Sequence, residues 1–351
     1  MQPQIPCSPI FLKSTPFGTS PAEALSQVKI PQGFERRANS SNHGSPLRAI
    51  SQRFDRLSAV FRGGSDMLSA PRAHESRRFM LIRVGYVVEF QFEKPTPLLA
   101  LGHIHPAATC RIRRAENLLV EPQVPITEYQ DGYGNRCSRM VVPAGRVVLR
   151  NDATVEDSGQ PDIQVPNAHQ HAVEELPHDV LVFLLASRYC EVDSELKDIA
   201  WNQFGTMPAG WTLVQAICDF VHNHIRFDYQ QARANRTARE IYRERAGVCR
   251  DFMHLAITFC RSLNIPARYC TGYLGDIGVP AAASPMDFSA WFEVYLGGAW
   301  HPFDARNNMP RIGRILMARG RDAADVALTT TFGRNQLQSF RVWTDPVQGV
   351  N

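Results

Sequence analysis

Cysteine pairs at metal-binding spacing are absent from this chain. Its eight cysteines are scattered and none forms a C-x-x-C, which argues against both a zinc site and a disulfide framework. Reduced thiols in a reducing, cytoplasmic compartment are the simplest expectation. Also missing is any run approaching the ~20 apolar residues that cross a bilayer, so no membrane partner is expected. The N-terminus lacks a charged start followed by an apolar stretch, the mark of a secretory signal. No D-x-D-x-D-G loop offers calcium ligands, so no metal and no other cofactor is expected.

What is present divides unevenly. Residues 1–79 are rich in Ser, Pro, Gly and Arg and show no sustained period. They carry 2 Lys and 9 Arg against 5 acids, a net +6, leaving 27 basic and 29 acidic side chains elsewhere, a net −2. The basic balance therefore belongs to this tail. It lacks the arginine–aromatic interleaving of a nucleic-acid binder, and no nucleic-acid partner is expected. The tail reads as disordered, or as a coding start placed too early. Met80 would be a natural first residue. The apolar content of 44% is ample for packed cores, and the 351-residue length suggests two domains.

From Met80 the pattern changes. Val84, Tyr86, Val88, Phe90 and Phe92 alternate with Gly85, Val87, Glu89 and Gln91, the period of a half-buried strand. Asp131-Gly132-Tyr133-Gly134-Asn135 is a turn rich in residues that tolerate positive φ. Strands around Arg139–Val142 and Arg146–Leu149 follow. Short strands separated by turns predict an antiparallel β-sandwich.

The chain's chemistry centres on Gly247-Val248-Cys249-Arg250-Asp251-Phe252-Met253-His254-Leu255. The apolar pattern through Leu255, Phe259 and Leu263 predicts a helix, which puts Cys249 at or near its N-terminus. Unpaired N–H groups and the positive end of the helix dipole favour a thiolate there, the nucleophilic form. Set against this is a plain structural cysteine. A strand through Ala267–Tyr273 follows, then two alternating runs, 287–296 and 299–304, joined by Gly297-Gly298 as a hairpin.

Helix with Cys, strand, then a hairpin ending in Asp resembles the transglutaminase-like superfamily over roughly Leu213 to Asp304. The Asp131–Asn135 turn is similar to one in the N-terminal region that precedes many bacterial members. The resemblance implies an α+β fold, with an N-terminal antiparallel β-sandwich followed by a transglutaminase-like, papain-like domain. The domain expectations are a tail over 1–79, a sandwich over 80–165, a linker over 166–195, the transglutaminase-like domain over 196–306, and an extension over 307–351 packing on the core. The resemblance gives Cys249 the nucleophile's place and Asp304 that of the orienting acid. The family's base is a His in a His-Ala-Trp triplet. Here the triplet is Ser289-Ala290-Trp291, and a hydroxyl cannot take a thiol's proton near neutral pH. Trp291 is the expected substrate contact.

Other histidines do not fill the vacancy. With Gly297-Gly298 as a two-residue loop, Leu296 pairs with Ala299, so Ser289, Trp291 and Asp304 share one face and His301 the other. Ser289 and Asp304 become diagonal neighbours, within ~7–8 Å. His254 lies about 140° from Cys249 around the helix. His169, His171 and His178 read as an exposed linker without a fixed face. His222 and His224 read as surface positions, though one could approach the site from another helix. The segment Pro310–Val326 reads as a strand and turn with internal ion pairs, or as part of the cleft wall. Two function classes follow. One is acyl chemistry through a Cys249 thioester on a peptide or protein substrate. The other is a degenerate relative that binds a peptide or protein in the old cleft.

Overall fold

The strand that opens at Met80 takes the form its alternation implies. In the computed structural model, Ile82, Val84, Tyr86, Val88, Phe90 and Phe92 are all buried, each at most 1% exposed. The structure describes residues 12–14, 79–108, 110–281 and 286–347. Apart from Leu12–Ser14 and Phe79, the tail expected over 1–79 lies outside the described residues. Within it, Leu12–Ser14 is a strand.

The elements run as follows. The N-terminal strands are β1 (Leu12–Ser14), β2 (Met80–Phe92), β3 (Thr96–Ala100), β4 (Arg111–Arg114), β5 (Leu119–Glu121), β6 (Thr127–Gln130), β7 (Arg136–Val142) and β8 (Gly145–Asp157). Helices α1 (Leu196–Phe204) and α2 (Trp211–His224) lead to β9 (Arg226–Phe227), α3 (Ala238–Glu244), β10 (Ala246–Gly247) and α4 (Cys249–Ser262). The chain ends with β11 (Ala267–Tyr273), β12 (Ser289–Leu296), β13 (Ala299–Phe303), β14 (Ile315–Gly320), β15 (Thr329–Thr331) and β16 (Asn335–Pro346).

Two sheets make the sandwich. One has the order β16-β2-β8-β4, with β5 also on β8; the other has the order β1-β15-β3-β7-β6. All these pairings are antiparallel except β1 with β15. Their inward residues, among them Phe90, Leu98, Met140 and Leu149, form one apolar core. Burying each such large side chain stabilises the fold by ~1.5–3 kcal/mol. The C-terminal strands do not form a separate layer. β15 and β16 complete the sandwich, and β14 joins the second domain's sheet, of order β13-β12-β11-β14.

The second domain packs α4 against β11 and β12, with α1, α2 and α3 around it. Every residue of α4 is buried, including Arg250, Asp251, His254 and Arg261. The helix is thus enclosed on all sides rather than showing one apolar face. The hairpin keeps the expected register, with Leu296 opposite Ala299 and Phe292 opposite Phe303. Gly297 and Gly298, at φ +57° and +83°, supply the two left-handed residues such a tight turn requires. The Asp131–Asn135 turn joins the sandwich to β14. Asn135 donates Nδ2–H to the Arg319 carbonyl, and its Oδ1 accepts the Arg319 N–H, both at 2.8 Å. The fold is therefore mixed α+β, as the sequence implies.

Candidate active site

Cys249 is the first residue of α4, and the turn before it is held from below. Asp251 accepts the Val248 N–H at 2.9 Å, so its carboxylate caps the helix start. Gly247 makes room for that carboxylate, since a Cβ there would lie 2.5 Å from Asp251 Oδ2. Asp251 also pairs with Arg236 at 3.3 Å and Arg250 at 2.9 Å. Arg250 in turn donates to the Ala234 carbonyl at 2.8 Å and to that of Arg233. Three buried charges are thereby closed on one another and on backbone carbonyls.

Above Cys249 lies a cavity of about 290 Å³. Its lining includes Cys249, Ser289, Asp287, Arg306, Asn307 and Arg311. Cys249 is only 9% exposed. Burial pushes its thiol up to about 11, with Asp287 adding to the rise, while the Arg306 guanidinium and the Ala290 N–H hold it down. The expected thiolate at a helix start is thus not the resting form. Desolvation of the charged sulfur outweighs the groups that favour it.

Ser289 starts β12 beside Cys249, and its carbonyl accepts the Thr271 hydroxyl at 3.1 Å. Asp304 follows β13, and its carboxylate is turned into the next turn, accepting the N–H groups of Arg306 at 3.1 Å and Asn307 at 2.9 Å. The Asn307 side-chain amide donates to it at 2.8 Å, and Arg314 approaches at 3.5 Å. Asp304 lines an adjoining cavity of about 270 Å³ with Trp211, Gln215, Cys218 and Arg314. Cys249 and Ser289 therefore share one cavity and Asp304 borders its neighbour; Asn307 touches the first and bonds the acid of the second.

Trp291 is 1% exposed and lines neither cavity. Two residues along a strand carry it ~6.6 Å inward from Ser289. There it packs with Cys270 and Leu316 under Arg314, whose guanidinium carbon is 4.9 Å from the ring. A substrate contact expected at Trp291 finds a core residue.

The histidines have other partners. His301 stands opposite Val294 and its Nε2 meets the Leu296 carbonyl at 3.1 Å. His254 is fully buried, with Nε2 accepting the Ala323 N–H at 3.2 Å. His222 meets the turn after Asp304, with Nδ1 donating to the Arg306 carbonyl at 2.9 Å. His224 bonds the Tyr242 carbonyl at 2.8 Å. His169 and His178 are exposed; His171 is half-buried and accepts the Gly298 N–H at 2.9 Å.

Sequence reading missed Asp287, Arg306 and Asn307. Each sits two or three residues from a position singled out, in the segments entering and leaving the hairpin, and that proximity was the available signal. Of the two readings for Pro310–Val326, both have a counterpart. Arg311 lines the cavity of Cys249. Farther on, Arg321 and Asp325 form an internal ion pair at 3.0 Å.

Comparison with known proteins bears on the same stretch. A profile of the transglutaminase-like superfamily matches residues 199–305. The crystal structure of a candidate cysteine protease from Cytophaga hutchinsonii is 32% identical, covers 78% of this chain and 93% of its own, and superposes with a TM-score of 0.66. An uncharacterized protein of Mycobacterium leprae, ML0607, is 36% identical over 84 residues, which is 23% of this chain. That match spans only 30% of the relative's length. The periplasmic domain of TgpA from Pseudomonas aeruginosa is 12% identical over 67% of this chain and 89% of its own, with a TM-score of 0.33. Among the described residues no helix is long and apolar enough to cross a membrane. With a helix-start cysteine, the hairpin behind it and a 32%-identical relative matched along nearly its whole length, the chain belongs to the transglutaminase-like superfamily.

Proposed function

We propose that this protein uses the cleft of its superfamily to hold a peptide or protein segment against Cys249, with cysteine acyl chemistry restrained by the loss of the general base. The observation that carries this reading is the makeup of the cavity. Among the described residues no imidazole lines it, and burial pushes the Cys249 thiol up to about 11; this reading takes Ser289 to stand at the family's base position. At pH 7 a thiol of that kind is ionised to roughly one part in 10⁴. A serine hydroxyl does not draw the remaining proton away.

Acyl chemistry is the second reading, favoured by two groups beside the sulfur. The Arg306 guanidinium and the Ala290 N–H both stabilise negative charge there. In that case Cys249 Sγ bonds the carboxamide or peptide carbonyl carbon, and the amine leaves carrying the thiol's proton. Water or a second amine then releases the acyl group from the thioester, giving hydrolysis or transfer. The candidate cysteine protease of Cytophaga hutchinsonii supports this class of chemistry by analogy alone.

Incubation with a glutamine-containing protein digest at pH 7.5, read by intact mass and by peptide retention, separates the two. The binding reading expects an unmodified protein, no turnover, and peptide retained equally by Cys249→Ala. A Cys249-linked acyl adduct, or turnover abolished by Cys249→Ala, would replace it with the acyl reading.

A further inference from the structure

The outer face of the sandwich carries a second site, far in character from the cysteine cleft. A depression of about 420 Å³ crosses β16, β2 and β8, lined by Arg83, Val87, Arg150, Asp152, Arg341, Trp343 and Asp345. The strand register shows how it is laid out. Trp343 stands opposite Gly85 and Gly85 opposite Asp152, forming one row across the three strands. In the next row Arg341 stands opposite Val87 and Val87 opposite Arg150. Two guanidinium-bearing positions thus flank a small apolar floor. Their backbones are about 10 Å apart, twice the inter-strand spacing. That gap is within joint reach of two arginine side chains.

The charges in this depression are unequally satisfied. Asp152 is already committed, taking Arg83 at 2.9 Å, Arg114 at 3.3 Å and the Trp343 indole N–H at 3.1 Å. Among the described residues Arg150 and Arg341 make no ion pair, and both are exposed. Arg341 is nevertheless steadied, its guanidinium carbon 5.4 Å from the Trp343 ring centre. The ring itself is fixed in place. A Cβ on Gly85 would meet it at 2.3 Å, so the indole lies directly on the glycine backbone. A guanidinium stacked in this way loses little freedom when it binds.

We propose that the Arg150–Val87–Arg341 row is a binding site for a phosphoryl group. A planar carboxylate satisfies one guanidinium fork. A phosphoryl group carries about −1.5 to −2 charges and three acceptor oxygens, which face both forks at once. Its charge also matches the two uncommitted arginines. The group is either free phosphate or the phosphorylated side chain of a peptide.

Titration calorimetry on the full chain tests this with inorganic phosphate, a phosphoserine peptide and the same peptide unphosphorylated. A phosphoryl probe is expected to bind saturably at one site and to change Trp343 emission. Arg150→Gln and Arg341→Gln should each weaken binding roughly tenfold or more, the usual effect of losing a hydrogen bond to a charged partner. Both variants should keep the parent's melting temperature, because neither guanidinium is buried or ion-paired. Phosphate binding as well as the phosphopeptide identifies a free anion, and a tighter phosphopeptide identifies a modified side chain; either supports the site. Absence of saturable binding by both probes, or binding unchanged in the double variant, overturns it.

Discussion

Beneath Cys249 each buried charge is met by another charge, whereas across the cavity one guanidinium is met by an aromatic ring. Below, Asp251 holds Val248, Arg236 and Arg250 together. Opposite, the guanidinium of Arg306 rests on the Phe227 ring at 4.0 Å and makes no ion pair among the described residues. Ser289 offers a hydroxyl at the place proposed for the base. The floor that places the cysteine and the wall that would activate it are therefore separable. One is interlocked by ion pairs, while the other, on the proposed reading, is without its base.

The largest effect is expected from restoring the wall. Ser289→His puts an imidazole beside Cys249 and should raise thiol-dependent hydrolysis or amine incorporation by roughly 10²–10⁴-fold. The comparison proteins are the parent and the Ser289→His, Cys249→Ala double variant. A folded variant no more active than an inactive parent would show that the wall has changed in more than one residue. Asn307 and Arg314, which occupy Asp304, are the groups to examine next.

Breaking the floor comes second. Asp251→Ala leaves the buried Arg250 without its carboxylate and Arg236 with Glu244 alone, a change that typically costs about 3–5 kcal/mol. At roughly 2–4 °C per kcal/mol for a domain of this size, the melting temperature should fall by on the order of 10 °C. A melting temperature within a degree or two of the parent's would sever the floor from the fold's stability.

A smaller effect is expected from His254, which stacks on Tyr189 beneath the same helix. Burial, with Arg250 and Arg261 nearby, holds its imidazole well below its ordinary value of 6.5. The folded state resists a proton that the unfolded chain takes up. The stability this contributes is therefore complete above about pH 6.5 and is lost as pH falls below it, by at most ~1.4 kcal/mol per pH unit. His254→Gln should flatten the acid limb of a stability-against-pH curve, and an unchanged limb would remove His254 from that role.

The smallest shift belongs to Arg306. Its guanidinium favours the thiolate, so Arg306→Gln should move the alkylation midpoint of Cys249 upward from about 11. A midpoint that stays in place, or an alkylation rate already high near pH 7, would mean that burial does not govern the sulfur.

Local chemistry was legible in the chain, and distant partnership was not. The Gly297-Gly298 hairpin, its register and the long strand from Met80 follow from alternation and from residues that tolerate positive φ, both read within a few positions. The helix carrying Cys249 was also readable. Its enclosure on every side was not, because Arg250 and Asp251 look like a solvated face until Arg236 is known to meet them. Asp304 shows the same limit. Alternation gives its place on the hairpin, but Arg314 and Asn307 decide where its carboxylate points. Trp291 reads as a cleft aromatic in its triplet, and only the packing of Arg314 and Leu316 makes it core.

The closing strand of the sandwich has a consequence for how this chain comes to be folded. β2 pairs on one side with β8, some sixty residues away, and on the other with β16, which begins at Asn335. During synthesis β2 therefore emerges with one long flank unpaired, and stays so until residues 335–346 have left the ribosome. Contacts of such sequence separation slow folding and leave strand edges open to wrong partners meanwhile. Completion of that sheet is thus tied to synthesis of β16, after the strands and helices that lie between it and β2 have emerged.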